Sequence, residues 1–87
     1  MATGKAKRII DGDTFQLTGG KRIRPEGYDA PEKGERGSRK AAQQLKQLIQ
    51  GKTVGLSSVL AVDRGRLVCD VFFEGKNLAD YFPEYKT

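Results

Sequence analysis

Histidine is absent from the 87-residue sequence and cysteine occurs once, at position 69. Neither a zinc cluster nor an internal disulfide can therefore hold the fold together. Cys69 lies in the apolar run Leu67-Val68-Cys69-Asp70-Val71-Phe72-Phe73, where a buried, unreactive thiol is the simplest expectation. Long apolar stretches are also missing, which excludes a membrane-spanning helix and a membrane partner. The start, Met1-Ala2-Thr3-Gly4-Lys5, has no apolar segment behind its basic residues and does not read as a signal peptide. The cytoplasm is the expected compartment, with an exported mature form as the alternative. With no repeats, linkers or low-complexity stretches, residues 1–87 read as a single domain. A chain of this length buries only roughly 60% of the surface it exposes when unfolded, so its core is thin.

What is present is charge. Sixteen basic residues stand against eleven acidic ones, a net charge of +5 that favours a polyanionic partner. The distribution says more than the total. Basic residues gather at Lys5-Lys7-Arg8, Lys21-Arg22-Arg24, Arg36-Arg39-Lys40 and Arg64-Arg66, whereas acids concentrate at Asp11-Asp13 and Asp29-Glu32. An acidic spot inside a basic surface suits a place where a cation meets a phosphate backbone.

Patterning predicts a strand over 6–10, a turn at Asp11-Gly12-Asp13, and a second strand Thr14 to Thr18 with Phe15 and Leu17 on one face. Gly19-Gly20 marks a hairpin turn, and Lys21 to Arg24 the returning strand. Pro25 and Gly27 interrupt it, which predicts an edge, a bulge or a bend. Ala41, Ala42, Leu45, Leu48 and Ile49 recur at helical spacing and predict a helix over about 38–50, with Ser38 as its cap and Gly51 just past its end. Strands over about 52–60 and 66–73 follow, then a turn at Glu74-Gly75-Lys76 and a short helix from Leu78 to Phe82 stopped by Pro83. The expected class is mostly β with helices (α+β), in the element order of a five-stranded OB-fold barrel.

Each acidic or basic cluster has a bland reading. Asp-Gly-Asp is a common turn, Asp29-Ala30-Pro31-Glu32 a solvated loop, and Asp63-Arg64-Gly65-Arg66 a hairpin turn with salt-bridging ends. Together they supply the parts of a hydrolytic site. Asp13 and Asp29 offer hard oxygen ligands for Ca²⁺ or a similar cation. Glu32 can take a proton from an attacking water. Arg24 and Arg66 carry the planar, always-charged fork that pairs with phosphate.

These motifs resemble the staphylococcal nuclease (thermonuclease) family. The resemblance rests on Ile10-Asp11-Gly12-Asp13-Thr14, on Arg24 five residues before Asp29-Ala30-Pro31-Glu32, and on Gly51-Lys52-Thr53-Val54 after the helix. Asp63-Arg64-Gly65-Arg66-Leu67 and Gly75-Lys76-Asn77-Leu78 complete the order, so that it covers residues 6 to 82. It implies an OB-fold, calcium, and cleavage of single-stranded DNA or RNA with little sequence preference. By position it implies Asp13 and Asp29 as metal ligands with the backbone carbonyl of Ala30, Glu32 as base, and Arg24 and Arg66 on phosphate.

Four departures set the alternative, a module that binds nucleic acid or a protein partner and cuts poorly. Pro25-Glu26-Gly27-Tyr28 stands where the family has an apolar strand, removing aliphatic side chains from a small barrel. The Asp63–Arg66 loop is one residue short and lacks an aromatic, which would draw Arg66 away from phosphate. The stacking tyrosines of the family have no clear counterpart, Tyr81 and Tyr85 being candidates by type only. The short C-terminal region leaves part of the barrel uncovered, so an exposed apolar patch or a homodimer is expected.

Overall fold

The computed structural model describes residues 2–87. Its longest strand, β1 (Ala2–Asp11), does two jobs. Residues Ala2–Lys5 pair antiparallel with β4 (Thr53–Leu56), whereas Ala6–Asp11 pair antiparallel with β2 (Thr14–Leu17). The register slips between Ala6 and Arg8 and again between Ile9 and Asp11. Such irregularities bend a strand and increase its twist, which lets one strand serve two halves of a sheet.

The first half continues from β2 to β3 (Arg22–Pro25), which lies parallel to β6 (Arg66–Cys69), and β6 pairs with the edge strand β5 (Ala61–Asp63). The second half runs from β4 to β7 (Val71–Phe73) and ends at β8 (Lys76–Asn77). The whole is one mixed sheet in the order β5-β6-β3-β2-β1-β4-β7-β8. The class is mostly β with one α-helix. Where sequence patterning expects five strands closed into a barrel, hydrogen bonding among the described residues gives eight strands in an open order.

The difference comes from two breaks. The expected strand 52–60 leaves the ladder after Leu56, and the expected strand 66–73 divides at Asp70. There Ser57 N donates to the Asp70 carbonyl at 3.0 Å and Asp70 N to Ser57 Oγ at 2.9 Å. This clasp carries β6 into one half of the sheet and β7 into the other.

Helix α1 (Ser38–Ile49) buries Ala41, Leu45 and Ile49 against the sheet. Ser38 is its first helical residue rather than its cap. The cap is Gly37, in the left-handed region at φ 85° and with no side-chain hydrogen bond. Gly51 takes φ 81°, as expected just beyond the end. Phe15, Ile23, Leu45, Ile49, Val54, Val71 and Leu78 form the centre of the core. Cys69 is buried beside them as a free thiol, and burial raises its pKa. Pro25 and Tyr28 are buried too, Tyr28 with its ring 5.7 Å from that of Phe82, so this stretch still contributes to the core, while Glu26 faces solvent. The expected exposed apolar residues exist but lie elsewhere: Val59, Leu60 and Val62 sit on and before edge strand β5.

Two 3-10 turns (Leu78–Tyr81 and Pro83–Tyr85) close the chain, so Pro83 starts a second turn instead of ending the structure. The last residues then run back along the Gly27–Asp29 segment. Asp29 N donates to the Tyr85 carbonyl at 2.8 Å and Thr87 N to the Gly27 carbonyl at 2.9 Å. Among the described residues no helix is long and apolar enough to cross a membrane.

Candidate active site

The β1–β2 turn is the foundation of the site. Asp13 N donates to Asp11 Oδ1 at 3.2 Å, a local Asx bond that turns the chain and directs the Asp13 side chain inward. Gly12 is required here by space. A Cβ on it would stand 2.6 Å from Ala41 Cβ and 3.1 Å from Ala30 Cβ, so the turn, the helix and the Asp29–Glu32 loop meet at this backbone. Tyr28 locks the same point from below, its buried hydroxyl donating to the Gly12 carbonyl at 3.3 Å. Burial holds that phenol's proton far more tightly than in water.

Neighbouring strands deliver the guanidiniums. Arg24 on β3 lies between two carboxylates, Nε 3.6 Å from Asp13 Oδ2 and Nη2 3.5 Å from Asp29 Oδ1. Arg66 on β6 is buried, with Nη1 3.7 Å from Asp13 Oδ1 and 3.9 Å from Glu32 Oε1. Its firm partners are others. Nη1 donates to Thr14 Oγ1 at 2.9 Å, and Nη2 to Asp63 Oδ2 at 2.7 Å. Thr14 Oγ1 donates onward to Asp13 Oδ1 at 3.1 Å, so a hydrogen-bonded chain runs from Arg66 through Thr14 to Asp13. Arg64, at the tip of the β5–β6 hairpin, reaches Glu32 Oε2 at 3.8 Å.

The five charged side chains singled out from sequence thus share one space. Asp13 is linked to Asp29 through Arg24, and to Glu32 through Arg66. Ala30, the sixth, is buried and packs against the turn at Gly12. The shorter Asp63–Arg66 loop does not draw Arg66 away. Asp63 and Arg66 face each other across a two-residue turn whose Arg64 and Gly65 both have positive φ, at 51° and 77°. That tight hairpin aims the guanidinium inward.

Asp13 is the most perturbed group. Burial chiefly, then the hydrogen bond and negative charge of Asp11, push its carboxyl up to about 7, with Thr14 and Arg24 opposing. Asp63 moves the other way, its Arg66 hydrogen bond holding it below the usual carboxylate range. Asp13 Oδ2 and Arg24 Nε are both buried without a hydrogen-bond partner.

No set of three acidic, histidine or cysteine side chains converges on a point among the described residues. Arg24 lies between Asp13 and Asp29, so a metal seat here would have to share their oxygens with it. What favours one is an all-oxygen donor set, one buried carboxylate oxygen without a hydrogen-bond donor, and crowding between Asp11 and Asp13 that a cation would relieve. Such a seat suits a hard divalent ion that keeps several waters.

Sequence patterning did not single out Thr14, Asp63 or Tyr28 as parts of this site. Asp63 was legible as a hairpin end facing Arg66, and Thr14 as the residue opposite Phe15 in the strand alternation. Tyr28 carries no local signal. Of the two tyrosines named by type, Tyr81 donates to the Phe73 carbonyl at 2.9 Å and packs tilted against the Phe73 ring, centroids 6.1 Å apart. Tyr85 contributes its backbone carbonyl to Asp29.

No protein-family model matches the chain. It is 32% identical over 82 residues to a protein of Escherichia coli named "Uncharacterized endonuclease". A protein of Escherichia coli O157:H7 with the same name matches at the same identity. The match takes in 90% of this chain and 54% of each relative. The chain therefore spans about half the length of the curated relatives it matches.

Proposed function

We propose that this chain is a metal-dependent nuclease of the staphylococcal nuclease type, hydrolysing phosphodiester bonds of single-stranded DNA or RNA with calcium as its cation. One observation carries the reading: two arginines from parallel neighbouring strands bridge one buried aspartate to two further carboxylates, at 3.5–3.9 Å. A domain that only displays a surface has no physical need for that set. The relatives' printed name supports it, as does the bent first strand shared between two halves of a sheet, a feature in keeping with OB-type architecture.

Bound at Asp13 and Asp29, with the Ala30 carbonyl, the cation would neutralise phosphate charge and lower the pKa of a water. The side chains do the rest. Glu32 accepts a proton from the attacking water, whose oxygen bonds to phosphorus as the P–O bond to the leaving sugar breaks. The leaving oxygen takes its proton from solvent. Arg24 and Arg66 face the non-bridging oxygens, where negative charge builds in the transition state. Arg24 Nη2 makes only a 3.5 Å contact to Asp29, and Arg66 Nη1 spends one N–H on Thr14, so Arg24 Nη2 and the second N–H of Arg66 Nη1 are the donors this reading gives to phosphate. Thr14 and Asp63 hold Arg66 in position.

A second reading, a nucleic-acid-binding module that cuts poorly, draws on the 2.7 Å bond that commits Arg66 Nη2 to Asp63. Nicking of single-stranded and duplex DNA with calcium, magnesium or chelator separates the two, with Glu32→Gln as the decisive variant. The nuclease reading expects cleavage only with a divalent ion and a loss of about 10²–10⁴-fold in the variant. Equal cleavage by parent and variant, or cleavage in chelator, defeats it.

A further inference from the structure

Beyond the five-residue site, the same face of the sheet carries a second run of cations. Arg8 on β1 pairs across to Gln16 on β2, and Gln16 to Arg22 on β3. Arg22 and Arg24 stand two residues apart on one strand, so they share a face, and Arg24 is already at the site. Because β3 and β6 are parallel, the Gly19-Gly20 turn before β3 and the Arg64-Gly65 turn before β6 lie at the same end of the sheet. Between them is a cleft of about 410 Å³, lined by Gly20, Lys21, Arg22, Arg64, Gly65 and Leu67. Of these, Arg64 also touches the site through Glu32.

Arg8, Lys21 and Arg22 are exposed, and none forms an ion pair with an acidic side chain among the described residues. The contrast with Arg24, Arg64 and Arg66 is the informative point. Three cations at the site are held by carboxylates, whereas those leading away from it have no counterion within the protein. Glycines at positive φ in both turns keep the cleft free of side chains at Gly20 and Gly65. A sugar–phosphate backbone can approach closely there.

We propose that a single nucleic-acid strand leaves the cleavage site past Arg64 and lies in this cleft, with Lys21 and Arg22 binding a second phosphate and Arg8 a third. The track rests on the nuclease reading for its direction, but it is tested by binding alone. Each neutralised phosphate of a single strand releases counterions and adds about 0.7 to the slope of log affinity against log salt. Losing the one phosphate that Lys21 and Arg22 share should therefore flatten that slope by about 0.7.

The test uses fluorescent oligothymidylates of two and eight nucleotides, anisotropy in calcium over a range of KCl, and a Glu32→Gln background to prevent cleavage. Adding Lys21→Gln with Arg22→Gln should weaken the eight-mer about tenfold and flatten its salt slope, leaving the two-mer unchanged. Arg8→Gln should weaken the eight-mer on its own, which keeps the test open if the double variant melts. Lys46→Gln and Lys40→Gln together remove equal charge from helix α1 and should change little. An unchanged eight-mer, equal losses for both lengths, or the same loss from the helix control each overturn the track. Strand binding that follows this pattern in a parent that never cuts DNA would sink the nuclease reading and leave the track standing.

Discussion

Asp13→Asn should stabilise the metal-free protein while removing a group that the proposed metal site needs. Asp13 is fully buried, and its carboxyl is pushed up to about 7, against 3.8 for an ordinary aspartate. The unfolded chain therefore ionises this group near pH 4, whereas the folded chain keeps its proton until near pH 7. Across that window the folded state binds more protons, so this residue makes stability fall as pH rises from about 4 to about 7 and level off above. At about 1.4 kcal/mol per pH unit, the upper limit is about 4 kcal/mol. Asparagine removes the buried charge and keeps an acceptor for Thr14, but forfeits the attraction of Arg24 and Arg66. The expected net gain is about 1–2 kcal/mol at pH 8, with almost none at pH 4. Urea unfolding in EDTA at pH 4, 6 and 8 measures both. Added calcium should stabilise the parent and leave the variant unmoved. A variant less stable than the parent at pH 8, or two proteins with the same pH dependence, would refute the reasoning.

Three further outcomes are expected. Gly12→Ala forces a methyl against Ala41 and Ala30 and should cost about 1–3 kcal/mol in urea unfolding; a neutral result would mean the helix slides freely over the turn. Tyr28→Phe removes the hydroxyl bond to the Gly12 carbonyl and should cost about 1 kcal/mol by the same measurement, with little effect on the fold. Arg66→Ala leaves Asp13 and Asp63 without their shared partner and should cost about 3 kcal/mol at pH 8. Arg66→Lys should restore little of this, since an ammonium cannot reach Thr14 and Asp63 together, and full recovery in thermal melts would show that only charge matters.

The helix and the charged site were legible in the sequence for different reasons. Ala41, Leu45 and Ile49 repeat at helical spacing, a local signal that tertiary context did not override. The five site residues belong to short turns and strand ends, where residue type and chemistry coincide. Strand boundaries were less legible. An apolar run such as Leu67 to Phe73 reads as one strand, because the Asp70–Ser57 clasp that divides it is a contact between residues 13 apart in sequence. The two-way pairing of β1 was hidden for the same reason, since its bends depend on which strands lie alongside. Pro25 and Tyr28 looked like an interruption in the sheet. Their burial follows from a bend that carries Tyr28 under the Asp11–Asp13 turn, which residue pattern alone does not announce. Helix capping failed on a smaller scale, where a left-handed glycine took the position that Ser38's hydroxyl seemed suited to fill.

Residues 85–87 tie a stretch distant in sequence to the candidate site. Tyr85 and Thr87 are hydrogen-bonded to Asp29 and Gly27, so the backbone that presents Asp29 is braced by the final three residues. A change that pulls Tyr85 out of this pairing would therefore tug on the Asp29 carboxylate from the far side of the sequence.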